Sequence, residues 1–406
     1  MPYIYRLLEK ELKAKTKGFP VLILTGPRRS GKTTLLRKCF PNATYHLLED
    51  PDSIARIQAD PRSFIEALKL PAILDEIQNV PELLNYIRTQ ADLSETKQTR
   101  WLLTGSQEPA LMKRVSESMA GRAALFSLLP LATAESGKVS IFRGGFPEIV
   151  TKQVDADTWF RSYIQTYLER DVRSISSLRN LTTFRRFLAL VASRMGQVLN
   201  KTDLAAPLGL SVPTIGEWLS ILEMTHQIIL VPPFYENFGK RLIKSPKIYL
   251  SDSGLAAHLL GIESEQALAR SPFFGPLFEG FIAGEIVKAQ FNQGKRKELY
   301  YFRDRPGLEV DFMVPQADQR LALIEAKASR TIHPKDALNM LRLQSKIKKY
   351  QVHSYVVHLP TSSLKGVKGL REGVKSLSYE ELSPVLYPRM LRPAAAGRSG
   401  RPTQSS

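Results

Sequence analysis

The sequence predicts an α/β chain: a parallel sheet with helices on both faces, then a winged-helix segment, then a small α/β unit. Three observations carry this. In the first third, short apolar runs alternate with helical stretches, the pattern of a parallel sheet covered on both faces. Residues 182–260 read as helices followed by a strand, a basic segment and a returning strand. Behind a helix at 277–291, the rest of the chain mixes short apolar strands with one further helix.

The elements follow in order. At roughly 100–200 residues per domain, a chain of 406 residues holds about two to four domains. Residues 1–18 are helical in pattern and basic, without the apolar core and small-residue cleavage site of a signal peptide. Runs at 21–24, 45–48, 72–74 and 101–103 read as buried strands, and 125–131 as a further strand or strand plus turn. From 159 to 172 the pattern turns helical, with aromatics on one face. The winged-helix segment has helices at 184–192, 200–208 (stopped by Gly209) and 211–224. Strands at 225–231 and 248–250 flank a basic stretch, 240–247, expected to be the wing. Residues 272–276, rich in Phe, Gly and Pro, read as a linker or domain entrance. Strands are expected at 299–302, 310–314, 321–325 and 354–358, and a helix at 334–345. From Arg392 onward Pro, Gly, Ala, Ser and Arg leave little to bury, the composition of a disordered basic tail. The expected boundaries are therefore 1–155, 156–270, 271–390 and 391–406.

Composition narrows the class. The apolar fraction of 43% allows each domain a core, and one cysteine, Cys39, rules out an internal disulfide framework. A reducing cytoplasm fits this usage. No apolar run approaches the ~18 residues of a membrane helix, so a membrane partner is not expected. The net charge of +18 favours polyanionic partners, DNA among them.

Gly26-Pro27-Arg28-Arg29-Ser30-Gly31-Lys32-Thr33 matches GxxxxGK[ST], between an expected strand and an expected helix, with Thr34 next in line. The glycines let backbone N–H groups curl around phosphates, and the helix N-terminus adds a favourable dipole. Lys32 is placed to neutralise the β- and γ-phosphates of ATP, and the Thr33 hydroxyl to ligate Mg²⁺. At the end of the strand 72–74, Asp75 can hold the Mg²⁺ shell and Glu76 can polarise the attacking water. The strand 101–103 ends in hydroxyls, and Thr104 or Ser106 is expected to sense the γ-phosphate. An arginine at that phosphate would assist transfer. Arg122 is the first candidate, from within the chain or from a neighbouring subunit of a homo-oligomer, and Arg143 the second.

Near the C-terminus, Asp311 lies in one strand pattern, and Glu325 and Lys327 lie in the next. Residues two apart on a strand share a face. The three can meet at one metal-bound water, with Glu279 of the preceding helix as a further metal ligand and Lys327 orienting the nucleophile. This is the layout of the PD-(D/E)xK nuclease fold. The expected recognition helix of the winged-helix segment carries Glu217 and Glu223 and no Lys or Arg, a poor major-groove reader. Lys240, Arg241, Lys244 and Lys247 of the wing suit phosphates better. Sequence-independent DNA contact and packing as a structural lid both remain open.

Taken together, Gly26–Thr34, Ala72–Pro81, Leu103–Ser106 and Ser118–Leu131 resemble the prokaryotic AAA-type ATPases that carry a C-terminal restriction-endonuclease-like domain of unknown function. The likeness continues through Ser162–Arg173, Asn237–Leu260, Glu309–Asp311 and Glu325–Lys327. The resemblance implies an AAA-type core, a winged helix and a nuclease-like domain. It places Lys32, Thr33, Asp75 and Glu76 at ATPase positions, and Glu279, Asp311, Glu325 and Lys327 at nuclease-like ones. Two functions follow as expectations. One is an ATPase whose nucleotide state controls DNA contact, with an attached nuclease module. The other is a nucleotide-dependent switch or scaffold for a protein partner, whose C-terminal domain does not cut.

Overall fold

A computed structural model of the chain describes residues 3–93, 98–105, 114–115, 117–152, 154–168, 181–234, 245–361, 366 and 368–388. The first part begins with α1 (Glu9–Lys15), β1 (Val21–Thr25), α2 (Lys32–Cys39) and β2 (Thr44–Leu47). It continues with α3 (Pro51–Ala59), α4 (Pro61–Ala67), β3 (Ala72–Asp75), α5 (Leu83–Leu93), β4 (Trp101–Thr104) and β5 (Ala123–Ser127). The five strands form one parallel sheet in the order β2-β3-β4-β1-β5. Alternate residues of β1 point to opposite faces: Val21 and Ile23 join one apolar cluster with Leu83 and Ile87 of α5. Leu22 and Leu24 join another with Leu8, Leu35 and Leu36. A strand buried on both faces reads as a continuous apolar run, which is why VLILT and AILD were legible. Cys39 ends α2 on the buried side.

The middle part contains α6 (Pro147–Thr151), α7 (Ala156–Tyr163), α8 (Leu181–Ser193), α9 (Lys201–Ala205) and α10 (Val212–Met224). The antiparallel pair β6 (Ile228–Val231) and β7 (Lys247–Leu250) follows, then α11 (Ser253–Leu259) and α12 (Glu265–Arg270). Ser211 caps α10 by accepting from Thr214 N, and Gly209, with φ of 63°, ends the short turn before it.

The last part opens on α13 (Phe274–Phe291) and holds a mixed sheet. Its strands are β8 (Tyr300–Arg303), β9 (Glu309–Pro315), β10 (Arg320–Lys327), β11 (Gln351–His358), β12 (Lys368–Arg371) and β13 (Val374–Ser378). They lie in the order β12-β13-β11-β10-β9-β8, with α14 (Leu338–Gln344) and α15 (Tyr379–Leu386) alongside. β8, β9 and β10 pair antiparallel, whereas β10, β11 and β13 pair parallel.

α13 is mostly apolar and has an unbroken buried run from Gly280 to Gln290, within which Glu285 and Lys288 pair at 3.0 Å. A helix of that kind belongs inside a core, and it joins the middle and last parts in one apolar cluster with Phe184, Trp218, Tyr249 and Phe312. The approach is close: a Cβ on Gly280 would lie 2.3 Å from Met195 Cε.

Several expectations are corrected. Residues 274–276 are the first turn of α13 rather than linker, because Pro276 sits where its missing N–H leaves no helical bond unmade. The helix expected at 159–172 starts at Ala156, capped by Asp155, and passes into a π-helical turn at Ile164–Leu168. The helix expected at 334–345 splits into a 3₁₀ turn, Pro334–Ala337, and α14. Lys247 belongs to β7 rather than to a solvent-facing wing, and its side chain is 2% exposed. Ser106, Lys240, Arg241, Lys244 and the tail from 391 lie outside the described residues.

Candidate functional site

The carboxyl end of the parallel sheet gathers the nucleotide-site candidates. β4 lies between β1 and β3, with Leu24 level with Thr104 and Leu74 level with Leu103. The loop after β1, Asp75 at the end of β3 and Thr104 at the end of β4 therefore share one edge.

The loop needs its glycines. Gly26 has φ of 139°, and a Cβ there would lie 2.2 Å from the Leu128 carbonyl oxygen. Gly31, at φ of 94°, turns the chain into α2. The Lys32 ammonium is buried and donates to the carbonyls of Gly26 (3.1 Å) and Pro27 (3.0 Å), which holds it over the loop.

Asp75 is the hub. Its Oδ2 accepts from Thr33 Oγ1 (2.7 Å) and from the Tyr45 hydroxyl (2.8 Å), and its Oδ1 accepts from Thr104 Oγ1. Burial, followed by the hydrogen bond to Asp75, pushes the Tyr45 phenol well above its ordinary value. Glu76 stands in the left-handed region at φ of 62°, a conformation that costs a non-glycine residue about 1–3 kcal/mol. Its N–H reaches Thr104 Oγ1 at 3.4 Å, and its carboxylate accepts from the Gln78 amide. A cleft of about 620 Å³ opens here, lined by Arg28, Arg29, Ser30, Gly31, Lys32, Thr33, Thr34, Asp75 and Glu76. Its volume suits a nucleotide. Tyr3 and Ile4 close it from the N-terminal side, and Pro147 and Lys152 from α6 and the residue after it.

Sequence reasoning missed two residues here. Tyr45 was legible only as a strand position. Arg6 was read as part of a basic helix, yet it is 4% exposed and donates to Ser30 O (2.9 Å), Leu129 O (2.7 Å) and Glu135 Oε1 (3.0 Å). It ties the N-terminal segment to the back of the phosphate loop.

The arginine candidates fare differently. The Arg122 carbonyl accepts from Val21 N, so Arg122 sits at the start of β5, beside the amino end of β1. The phosphate loop leaves the other end of β1, about 15 Å of strand away. Arg122 pairs on the surface with Asp92, and the within-chain role expected for it is corrected on this geometry. Arg143 donates to the Ile149 carbonyl at 3.1 Å. Arg29 pairs with Glu148 at 3.1 Å.

The C-terminal acids meet around a lysine. Asp311 and Glu309 share a face of β9, and Glu325 and Lys327 share a face of β10, where Lys327 Nζ donates to Glu325 Oε1 at 2.8 Å. Asp311 Oδ2 accepts from Ala326 N at 2.9 Å. From β7, the Lys247 ammonium lies 2.6 Å from Glu309 Oε1, 2.9 Å from Glu279 Oε1 and 3.7 Å from Asp311 Oδ1. Burial alone would lower the Lys247 pKa, but the carboxylates of Glu279, Asp311 and Glu309 outweigh it and leave it raised. Burial, then the charge of Asp311, pushes Glu279 up to about 7 and Glu325 up to about 8. Among the described residues no three His, Cys, Asp or Glu side chains are grouped as a metal site would group them. The expected ligand set of Glu279, Asp311 and Glu325 is brought to one neighbourhood, with the Lys247 ammonium between Glu279 and Asp311. Lys247, expected to bind phosphates, is instead sequestered by carboxylates.

Three segments of the chain match family models. Residues 18–136 match an AAA domain, 136–266 a domain of unknown function (DUF8612) and 274–371 a domain of unknown function (DUF4143). The uncharacterized proteins Mb2031c of Mycobacterium bovis and Rv2008c of Mycobacterium tuberculosis are each 34% identical over 304 residues, 73% of this chain and 67% of theirs. The uncharacterized protein MJ1544 of Methanocaldococcus jannaschii is 20% identical over 420 aligned residues. Among solved structures, the Walker-type ATPase PABY2304 of Pyrococcus abyssi is similar at 16% identity and a TM-score of 0.44, covering 62% of this chain and 94% of that one. A RuvB variant of Thermotoga maritima is similar at 16% identity and a TM-score of 0.28, covering 56% and 87%. No helix among the described residues is long and apolar enough to cross a membrane.

Proposed function

The chain belongs to the family of its mycobacterial relatives and carries an AAA domain with a P-loop parallel sheet, and from that premise we propose that it is a Mg²⁺-dependent ATPase acting as a nucleotide-controlled switch. The observation that carries this is the contact between Thr33 and Asp75, which joins the phosphate loop to the acidic end of β3. A hydroxyl and a carboxylate oxygen 2.7 Å apart at the helix N-terminus are the hard oxygen donors that Mg²⁺ takes together with water and phosphate. Bound there with ATP, the ion would neutralise charge on the transferring phosphoryl group.

The protein groups then divide the work. Backbone N–H groups from Gly26 to Thr34 cradle the phosphates, and Lys32 moves from the loop carbonyls to the β- and γ-oxygens. Thr104 fixes the Asp75 carboxylate and reaches the Glu76 N–H, so it can report phosphate state between β1 and β3. Glu76, aimed by its left-handed backbone, polarises the attacking water. Arg122, exposed on the far edge, can serve only from a neighbouring subunit of a homo-oligomer. In this reading residues 1–155 are the ATPase, 156–270 a winged-helix segment and 271–390 a restriction-endonuclease-like module.

The switch is favoured over direct DNA reading by α10: Glu223 pairs with Lys297, and Ile215, Trp218, Leu219 and Leu222 are buried. Two observations favour a second reading, DNA contact with a metal-dependent nuclease module. The net charge is +18, and Glu279, Asp311, Glu325 and Lys327 lie on a helix and two strands in the order such enzymes use. The test is phosphate release with Mg²⁺, beside a gel shift on bulk duplex DNA across a salt series. Absence of hydrolysis in the natural sequence would refute the ATPase, and hydrolysis that survives Lys32→Ala would refute its assignment to this phosphate loop. A shift at low salt that weakens steeply as salt rises would favour the second reading.

A further inference from the structure

We propose that Lys247 is the resident cation of the C-terminal acid cluster: a tethered ammonium that keeps divalent metal out while β7 stays docked. The inference rests on reading that cluster as the counterpart of a metal-dependent nuclease site.

The geometry is specific. Lys247 Nζ is 2.6 Å from Glu309, 2.9 Å from Glu279 and 3.7 Å from Asp311, and its side chain is 2% exposed. A Mg²⁺ or Mn²⁺ ion bridging Glu279 and Asp311 needs carboxylate oxygens at about 2.0–2.2 Å. That position falls within the space the ammonium fills, and two cations do not share it. The Oε1 atom of Glu279 is doubly engaged, because the Tyr249 hydroxyl also donates to it. Lys247 and Tyr249 are two apart on β7 and therefore act from one face of one strand. A second observation concerns Glu325. Its Oε1 is held by Lys327 at 2.8 Å, while its Oε2 is buried and has no hydrogen-bond partner among the described residues. An acid left half-satisfied beside a lysine-filled cluster is what a site built for metal and closed by a tether would show. β7 is not part of the C-terminal sheet. It pairs with β6, and His226, just before β6, contacts Ser127 of the ATPase sheet at 3.3 Å.

The experiment counts Mn²⁺ bound per chain by electron paramagnetic resonance of the free ion. Only the Mn²⁺ that Asp311→Asn removes is scored, which leaves the phosphate loop out of the count. The expected result is no Asp311-dependent Mn²⁺ on the natural sequence. One Mn²⁺ per chain is expected on Lys247→Met, and none on Lys247→Met with Asp311→Asn. Asp311-dependent Mn²⁺ on the natural sequence overturns the proposal without any variant at Lys247. So does a Lys247→Met protein that melts as a folded chain and binds none. Lys247→Gln, which keeps a donor for Glu309, gives the same count should the methionine variant not fold. Plasmid cleavage by Lys247→Met with Mn²⁺ judges the nuclease reading separately. Mn²⁺ gained without cleavage upholds the part given to Lys247 and refutes that reading.

Discussion

Arg6→Met removes a guanidinium that holds three parts of the ATPase together, and its cost can be worked from the contacts. Arg6 pairs with Glu135, and the two side chains are 5% and 0% exposed. Breaking a buried ion pair from one side costs about 3–5 kcal/mol, because the remaining charge stays buried. The Glu135 carboxylate keeps backbone donors at Leu7 and Ala132, which favours the lower end. The carbonyls of Ser30 and Leu129 also lose a donor, about 1 kcal/mol or more for each that water cannot reach. A loss of about 3–5 kcal/mol corresponds to a fall in the ATPase transition of roughly 6–20 °C. Scanning calorimetry and urea unfolding read this directly. Arg6→Met with Glu135→Leu should be less than additive, since the second change removes the stranded charge. A transition within about 1 °C of the natural protein would refute the reasoning and leave the N-terminal segment unanchored.

Other outcomes follow from single contacts. Gly26→Ala should abolish ATP binding, measured with a fluorescent analogue, because its Cβ would meet the Leu128 carbonyl at 2.2 Å. Arg122→Ala should leave hydrolysis by dilute, monomeric protein within about twofold, since the side chain faces Asp92 at the far end of the sheet; a larger loss there would contradict the within-chain geometry. Tyr45→Phe should weaken Mg²⁺-ATP affinity by about 0.5–1.5 kcal/mol, the worth of one hydrogen bond to Asp75, read by calorimetric titration. Burial, then the charge of Lys297, lowers His226 to about 4. Its unfolded pKa is near 6.5, so the unfolded chain binds the proton first. Its contribution is complete above about pH 6.5 and is lost as pH falls toward 4, at most about 3 kcal/mol. His226→Gln should flatten that part of a urea-midpoint series between pH 4 and 7.

The legible parts of the chain were those whose signal is local. The phosphate loop is a strand, eight residues and a helix start, and every part of it lies within one stretch of sequence. The buried strands of the first sheet are apolar throughout, so their position and type could be read. Their order could not: β4 enters between β1 and β3, a pairing across about eighty residues that no local pattern carries. Arg6 and Tyr45 were missed for the same reason, since their partners lie 129 and 30 residues away. Lys247 misled because it follows a basic run. Its neighbours in sequence suggested a wing, whereas its partners 32, 62 and 64 residues on set its environment. β12, β13 and α15 were not read at all. β12 is short, exposed and carries Lys368 and Arg371, and β13 alternates around Lys375.

Single-turnover hydrolysis of ATP by Glu76→Gln, with binding measured on the same sample, tests the central claim most directly. Glu76 is assigned to the attacking water and not to holding nucleotide. ATP should therefore bind with affinity near that of the natural sequence, while the hydrolysis rate falls by about 10²–10⁴. Hydrolysis at the natural rate, with ATP bound, would contradict the account.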